Sequence, residues 1–363
     1  YDVFVSDFGK IKDNYKEVLG LHGIKWEEEK HTEDLILNAD VVMKSPGIPD
    51  KSPMVKKILE KGIKVISEIE FAIQYTKAIT VGITGSNGKT TTKELINVVL
   101  SKKYITKATV GNLNNHIGVP LSILSMQSDV EIAVIEMGAN HQKEIEFLCE
   151  IAQPTHGLIT NVGMAHLDGF GGFEGVKKGK AELYAYLKAH HGFAFINRNN
   201  PYLLEMSAAA DLNKVVYYGT EKENAVSGNL KHSDPLIEFE WATAGKNYNA
   251  KANLTGTYNF ENILASICIG NFFGLSAKQI NNGLANYYPN NNRSQLTKTE
   301  NNTVICDFYN ANPSSMTAAL NNLETLKAPH KTAIIGDMFE LGPEAAAQHK
   351  LVAELASKNK IDT

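Results

Sequence analysis

Cysteine is scarce in this sequence, and the three present, Cys149, Cys268 and Cys306, lie far apart. An odd, scattered set supports neither a disulfide framework nor a zinc site, and reads as buried free thiols in a reducing cytoplasm. Long apolar runs are also missing. A stretch such as 132–135 falls far short of the roughly 20 residues a membrane helix needs, so no membrane partner is expected. Charge of one sign is not in excess: 36 Lys+Arg stand against 40 Asp+Glu, a net −4. That balance disfavours nucleic acid as a partner while leaving room for a few placed cations around a phosphorylated small molecule. No repeat, low-complexity tract or signal-like segment is present, and the opening Tyr1-Asp-Val-Phe-Val-Ser-Asp7 reads as a strand of a chain whose own start is missing.

What is there is ordinary globular material. Hydrophobic residues at 43% and charged residues at 21% suffice for sizeable cores over 363 residues, and at roughly 100 to 200 residues per domain the length predicts two or three domains. Short apolar runs at 3–5, 41–43 and 63–66 alternate with helical patterns near 14–19 and 52–61, the rhythm of βαβ units in a parallel sheet. The segments Ser6-Asp7-Phe8-Gly9 and Ser45-Pro46-Gly47-Ile48-Pro49 follow strand ends, and are either plain turns or ligand loops at a sheet edge. A run of charge, Glu27-Glu-Glu-Lys30, reads as a solvated face.

From about residue 78 a larger α/β unit is predicted. It has a strand at 79–84, a helix at 90–100, strands at 132–136, 157–160, 193–197 and 215–218, a hairpin arm at 247–254 and a buried helix at 259–273. Residues 287–294, with Pro289 and three consecutive asparagines, form a linker pattern. Beyond it, strands at 303–307 and 332–336 around a helix at 314–326 predict a third βαβ layer, too short for a complete doubly wound domain.

The sharpest chemical signal is Gly82-Ile-Thr-Gly85-Ser-Asn-Gly88-Lys89-Thr90-Thr91-Thr92 at a strand-to-helix turn. Glycines let backbone N–H groups close around phosphate oxygens, Lys89 brings a point charge and the Thr90 hydroxyl can ligate magnesium. The strict spacing wants glycine where Ile83 stands, so the generic pattern is matched imperfectly. Glu136 ends an apolar strand, where it is either a surface carboxylate or a magnesium ligand beside Thr90. His166, just past another strand end, divides evenly between a structural and a ligating role. Lys180 reads as an exposed helical lysine, not set apart from Lys177 or Lys178. Asp307-Phe-Tyr309-Asn310-Ala-Asn312-Pro313 precedes a helix, and ligand binding and a simple cap at Asn312 are equally open.

Taken together these residues resemble the Mur ligase family, ATP-dependent amide-forming enzymes of peptidoglycan precursor synthesis. From residue 84 onward, Thr84-Gly-Ser-Asn-Gly-Lys-Thr-Thr-Thr-Lys-Glu94, Gly111-Asn-Leu-Asn-Asn115, Glu136-Met-Gly-Ala-Asn-His141, Ala165-His-Leu167, Asp307-Phe-Tyr-Asn-Ala-Asn-Pro313 and Gly336-Asp-Met-Phe-Glu-Leu-Gly342 resemble the branch that adds D-alanyl-D-alanine. Residues 1–77, with Val5-Ser-Asp7, Ser45-Pro-Gly-Ile-Pro49 and Ser67-Glu-Ile-Glu-Phe71, resemble the N-terminal domain of the branch that adds D-glutamate. A junction near 74–83 is read as that of a chimera, shortened at both ends. Folylpolyglutamate synthase, which shares the ATP loop, lacks the Asp-Phe-Tyr-Asn-Ala-Asn-Pro run.

The resemblance implies a three-domain α/β fold: a Rossmann-like N-terminal domain over 1–77, a central P-loop domain over 78–295 and a partial Rossmann-like C-terminal domain over 296–363. It implies a cytoplasmic, monomeric enzyme that uses ATP and two Mg²⁺ ions to phosphorylate the carboxylate of a UDP-N-acetylmuramoyl peptide, which D-alanyl-D-alanine, or alternatively D-glutamate, then attacks. A nucleotide-binding but catalytically incomplete chain is the remaining alternative. By position, Gly85, Ser86, Asn87, Gly88, Lys89, Thr90 and Thr91 would hold the phosphates, and Asn259 and Asn262 the adenine side, with Tyr258 where histidine is frequent. Arg293, Asp307 and Asn310 would reach the nucleotide from the C-terminal side. Thr90 and Glu136 would hold one metal, and His166 with N-carboxylated Lys180 the second, with Lys89, Lys180 and His166 as the catalytic set. Asn114 and Asn115 would face the muramoyl substrate, and Ser6, Asp7, Ser45, Pro46 and Gly47 its uridine end.

Overall fold

The computed structural model describes residues 1–45, 47–68, 71, 77–359 and 361. The chain divides into two compact units, 1–75 and 76–363. In the first, parallel strands β1 (Phe4–Ser6) and β2 (Lys25–Glu27) are joined through the helix Asp13–Leu21, and parallel strands β3 (Val41–Lys44) and β4 (Lys64–Ser67) through the helix Pro53–Glu60. Among its described residues the buried apolar set is small, centred on Val55, Ile58 and Ile66. The Glu27–Lys30 run is not a uniformly solvated face. Glu27 is 8% exposed, and its carboxylate accepts from Ser6 Oγ at 2.7 Å, the Thr32 backbone N–H at 2.7 Å and the Thr32 hydroxyl. Charge patterning could not reveal this, because the donors come from β1 and from the turn after β2.

The second unit is built on a nine-stranded sheet. Its strands are β5 (Ile79–Thr84), β6 (Thr106–Ala108), β7 (Ile132–Glu136), β8 (His156–Ile159), β9 (Phe193–Asn197), β10 (Val215–Gly219), β11 (Val226–Ser233), β12 (Ile237–Thr243) and β13 (Lys246–Ala252), in the order β13-β12-β11-β10-β9-β8-β5-β7-β6. From β6 to β11 neighbours run parallel, and β11, β12 and β13 are antiparallel. β7 and β8 are buried residue by residue, which is why they read as continuous apolar runs: helices cover both faces of a parallel sheet. The helix Lys89–Leu100 lays Leu95, Ile96 and Val99 into the core shared with the helix Asn259–Phe272, whose Ile263, Ile267 and Ile269 are fully buried.

After β13 the chain passes through Asn259–Phe272 and the helix Ala277–Ala285, which a Ser276–Gln279 capping box begins. It then enters the hairpin β14 (Gln295–Lys298) and β15 (Thr303–Cys306). The helices Pro313–Thr325 and Ala345–Lys358 close a minor core of Leu320, Met338, Leu341 and Val352. The strand expected at 332–336 is not formed: Thr332 makes an isolated bridge, and Ile334 is 99% exposed. An apolar run becomes a strand only where a neighbour pairs its N–H and C=O groups, and β14 and β15 pair with each other instead. Cys149 and Cys268 are buried free thiols, while Cys306, at the end of β15, is only half-buried. Among the described residues no helix is long and apolar enough to cross a membrane.

Candidate active site

Strand order places the chemistry. β5 sits between β7 and β8, and the chain crosses from one side of β5 to the other between them, so a crevice opens beyond their carboxyl ends. The glycine turn leaves β5 there. Gly85 has φ +145°, and a Cβ on it would stand 2.1 Å from Thr160 Oγ1; Gly88, at φ +76°, caps the helix and would collide with Asn262 Oδ1 at 2.7 Å. The turn is stapled to the segment after β8. Asn87 N–H donates to Asn161 Oδ1 at 2.9 Å, and Asn87 C=O accepts from Thr160 Oγ1 at 2.6 Å and Asn161 Nδ2 at 3.0 Å. Ser86 Oγ exchanges hydrogen bonds with the Gly163 backbone at 2.9 and 3.1 Å.

Lys89 Nζ donates to the carbonyls of Gly85 at 2.8 Å and Ser86 at 3.3 Å. The residue as a whole is half-buried, but its ammonium lies deep among protein atoms. Desolvation of that charged atom lowers its pKa, against the attraction of Glu136 and with the repulsion of Arg293.

Glu136 is 1% exposed at the end of β7 and is no surface carboxylate. Its Oε1 accepts from Asn114 Nδ2 at 2.8 Å and from Thr90 Oγ1 at 3.3 Å, while Oε2 is buried with no hydrogen-bond partner. An unpartnered buried carboxylate oxygen is costly. A divalent cation beside the Thr90 hydroxyl would satisfy it, and the all-oxygen donor set suits magnesium, which takes one or two protein ligands and completes its shell with phosphates and water. Among the described residues no cluster of three or more His, Cys, Asp or Glu forms a ready-made cage.

Lys180 corrects the reading of an exposed helical lysine. It lies 2% exposed within the helix Phe173–Ala189, donates to Ala139 C=O at 3.3 Å and stands 5.1 Å from the Phe170 ring centre. Burial, then repulsion from Lys89, brings its pKa down to about 7 against the pull of Glu144 and Glu182. Lys177 pairs with Glu205 instead, and Lys178 is exposed. His166 has φ +54°, lines the cleft and pairs through Nδ1 with the Glu340 carboxylate. The contacts found for His166 and Lys180 run to different partners, so this pair is not joined as Thr90 and Glu136 are.

The opposite wall comes from the later chain. Asn259 Nδ2 donates to Thr255 C=O at 2.8 Å and Ser294 Oγ at 2.9 Å, and its Oδ1 accepts from Asn262 at 2.9 Å. Arg293 stacks on Tyr309 with its guanidinium carbon 3.9 Å from the ring centre. Asp307 receives the Tyr258 hydroxyl at 3.1 Å. Crowding pushes the Asp307 pKa up against Tyr258, Ser294 and Arg293, although its open face toward solvent weakens that push. Asn310 accepts from the Ala311 N–H at 2.9 Å.

These walls enclose a cleft of about 750 Å³, lined by Ser86 to Thr91, Asn114, Asn115, Glu136, His166, Asn259, Asn262, Arg293, Asp307 and Asn310. Gly85 and Lys180 lie behind the lining. Asn115 spends its Oδ1 on the N–H groups of Ile117 and Gly118, at the start of the helix Gly118–Leu124. Thr160 and Asn161, which pattern alone does not mark, also hold the glycine turn, as does Asn312; Asn161 stands only two residues past the end of β8, which is the available signal. In the first unit, Ser6 Oγ bonds Glu27 and His31 at 2.7 Å each, Asp7 accepts from Gly9 N–H at 2.7 Å, and Ser45 donates to Glu68 at 2.8 Å. Gly47 lies in the turn after β3, and Pro46 lies outside the described residues.

The decisive comparison covers the sheet and its loops: residues 83–270 match the Mur ligase middle domain. The chain belongs to the Mur ligase family. Residues 292–363 match the domain described as "Mur ligase, glutamate ligase domain", and residues 1–54 the MurD N-terminal domain, so the architecture is the three-domain α/β fold of the Mur ligases. The UDP-N-acetylmuramoyl-tripeptide–D-alanyl-D-alanine ligase of Bacillus subtilis is 35% identical over 284 residues, 78% of this chain and 61% of the relative. The UDP-N-acetylmuramoylalanine–D-glutamate ligase of Christiangramia forsetii is 47% identical over 170 residues, 46% of this chain and 36% of that one. A crystal structure of MurF from Acinetobacter baumannii superposes with a TM-score of 0.74 at 27% identity, covering 89% of this chain and 76% of that one. The chain spans about three-fifths of the length of the first D-alanyl-D-alanine ligases it matches.

Proposed function

We propose that this Mur ligase is an ATP-dependent amide ligase that adds D-alanyl-D-alanine to a UDP-N-acetylmuramoyl-tripeptide through an acyl phosphate. The observation that carries the reading is the cluster of Thr90, Asn114 and half-satisfied Glu136 beside the glycine turn, facing Arg293 and Asp307 across one cleft. The D-alanyl-D-alanine ligases among the relatives support the choice of acceptor.

A carboxylate is a poor electrophile, and converting it to an acyl phosphate supplies a good leaving group. In this reading the turn from Gly85 to Thr91 and the N-terminus of the helix it opens receive the phosphates, and Lys89 leaves its loop carbonyls for the terminal ones. Thr90 and Glu136 would hold magnesium, which supplies charge neutralisation between the triphosphate and the incoming carboxylate. Arg293, held flat against Tyr309, presents a planar donor fork to the γ-phosphate. Asn259 and Asn262 meet the adenine side, and Asp307 and Asn310 complete the nucleotide site. Lys180, whose pKa burial brings down to about 7, can in its neutral form combine with CO₂ and release a proton to become a carbamate, which with His166 would hold a second magnesium. Asn114 and Asn115 face the muramoyl substrate, and Ser6, Asp7, Ser45 and Gly47 serve its uridine end. The reading carries a cytoplasmic monomer with it.

D-Glutamate addition is the second reading, favoured by the MurD-type match of residues 1–54. Both readings share the acyl phosphate. With ATP, magnesium and the UDP-linked peptide, hydroxylamine should attack the acyl phosphate, giving a hydroxamate and free phosphate. Lys89→Ala should lower that yield by roughly a hundredfold or more with the fold retained. Undiminished hydroxamate in Lys89→Ala would overturn the assignment of the glycine turn.

A further inference from the structure

The side chain of Asn312 does two things at once. It is the N-cap of the helix Pro313–Thr325: Oδ1 accepts from the Ser315 N–H at 2.9 Å, and Ser315 Oγ accepts from the Asn312 N–H at 3.1 Å. With Oδ1 committed to the cap, Nδ2 points away from the helix and donates to Asn87 Oδ1 in the glycine turn at 2.8 Å. The contact spans 225 residues and is sheltered, Asn312 being 7% exposed. It also fixes a neighbour. Asn87 must turn its carbonyl oxygen toward Asn312, so the NH₂ end of its amide lies on the other side, in a residue that lines the cleft. The same helix start meets the loop a second time, where Ser314 Oγ accepts from the Met164 N–H at 3.2 Å, above Gly163, on which a Cβ would stand 2.9 Å from that hydroxyl.

We infer that Asn312 is a positioning residue that clasps the C-terminal helix to the phosphate loop and orients the Asn87 amide so that its donor end faces an anionic ligand. The inference rests on the nucleotide part of the proposed function. It makes nucleotide affinity depend on a residue of the C-terminal segment that need not touch the nucleotide. The cap and the clasp use different atoms, so substitution can separate them. Serine and aspartate both cap helices well, but serine is too short to reach Asn87, and aspartate offers it no donor.

The test is calorimetric binding of ATPγS with magnesium to the full chain and to Asn312→Ser, Asn312→Asp, Asn87→Ala and the double variant Asn87→Ala/Asn312→Ser, with the melting temperature of each free protein. Each single variant should bind roughly tenfold more weakly, the loss of about one sheltered hydrogen bond. The double variant should bind no more weakly than the worse single, and Asn312→Ser, which keeps the cap, should melt only slightly below the parent, by the loss of about one hydrogen bond. Unchanged affinity in Asn312→Ser, a double variant weakened by the product of the single losses, or a lowered melting temperature without loss of affinity would overturn the clasp. A parent chain that does not bind ATPγS would overturn the nucleotide reading, and the clasp with it.

Discussion

Two buried glutamates at the ends of parallel strands, one in each unit, have opposite fates. Glu27, ending β2, has both carboxylate oxygens satisfied by Ser6 and Thr32. Glu136, ending β7, has one oxygen satisfied by Asn114 and Thr90 and the other buried without a partner. Burial alone therefore does not mark a functional carboxylate. Glu27, with donors on both oxygens, holds its own chain together, whereas the open carboxylate oxygen of Glu136, set beside the Thr90 hydroxyl and the glycine turn, leaves a place for a cation.

Substitution should separate the two. Glu136→Gln is expected to lower magnesium-dependent acyl transfer by about a hundredfold or more while the protein stays folded, measured as hydroxamate formation beside circular dichroism. Retained activity would place the cation elsewhere. Lys180→Ala should lose activity to a similar degree, and a short carboxylic acid in the buffer should restore part of it by standing in for the carbamate; no restoration would leave Lys180 with a packing role against Phe170. The effect at Glu27 should be smaller and of another kind. Glu27→Gln should cost about 1 to 3 kcal/mol of stability, measured by urea unfolding, because one buried oxygen is replaced by a donor facing donors.

Acid should reproduce that loss. Desolvation raises the pKa of Glu27, but hydrogen bonds from Thr32 and Ser6 outweigh it and hold the value below the ordinary 4.5. A carboxyl with a depressed folded pKa contributes stability above its unfolded value, and that contribution disappears as the pH falls through the folded one. The parent chain should thus lose stability below about pH 4.5 more steeply than Glu27→Gln. Parallel acid profiles would deny Glu27 its role.

The same contrast explains what was legible in the sequence. Periodicity located most strands, because a parallel sheet covered on both faces must be written in continuous apolar runs, but it missed helices such as Glu144–Ala152, Pro201–Ala209 and Ala345–Lys358; the glycine turn announced itself through residues that a phosphate cradle requires. Lys180 was not legible from pattern, since its burial depends on Phe170 and Ala139 closing over one face of a helix on which Lys178 is exposed and Lys177 pairs with Glu205. The satisfied state of Glu27 and the open oxygen of Glu136 were equally hidden: each depends on donors brought in from elsewhere by the fold. The expected strand at 332–336 failed for the converse reason, an apolar run without an aligned partner. Of the two roles open for Asn312, ligand binding and a simple cap, the cap is formed, and the spare end of the same amide reaches Asn87.

The most direct measurement is phosphate release from ATP and magnesium with two substrate pairs, UDP-N-acetylmuramoyl-tripeptide with D-alanyl-D-alanine and UDP-N-acetylmuramoyl-L-alanine with D-glutamate. The account predicts turnover with the first pair and none with the second. Turnover with the second alone, or silence with both while ATP still binds, would contradict it.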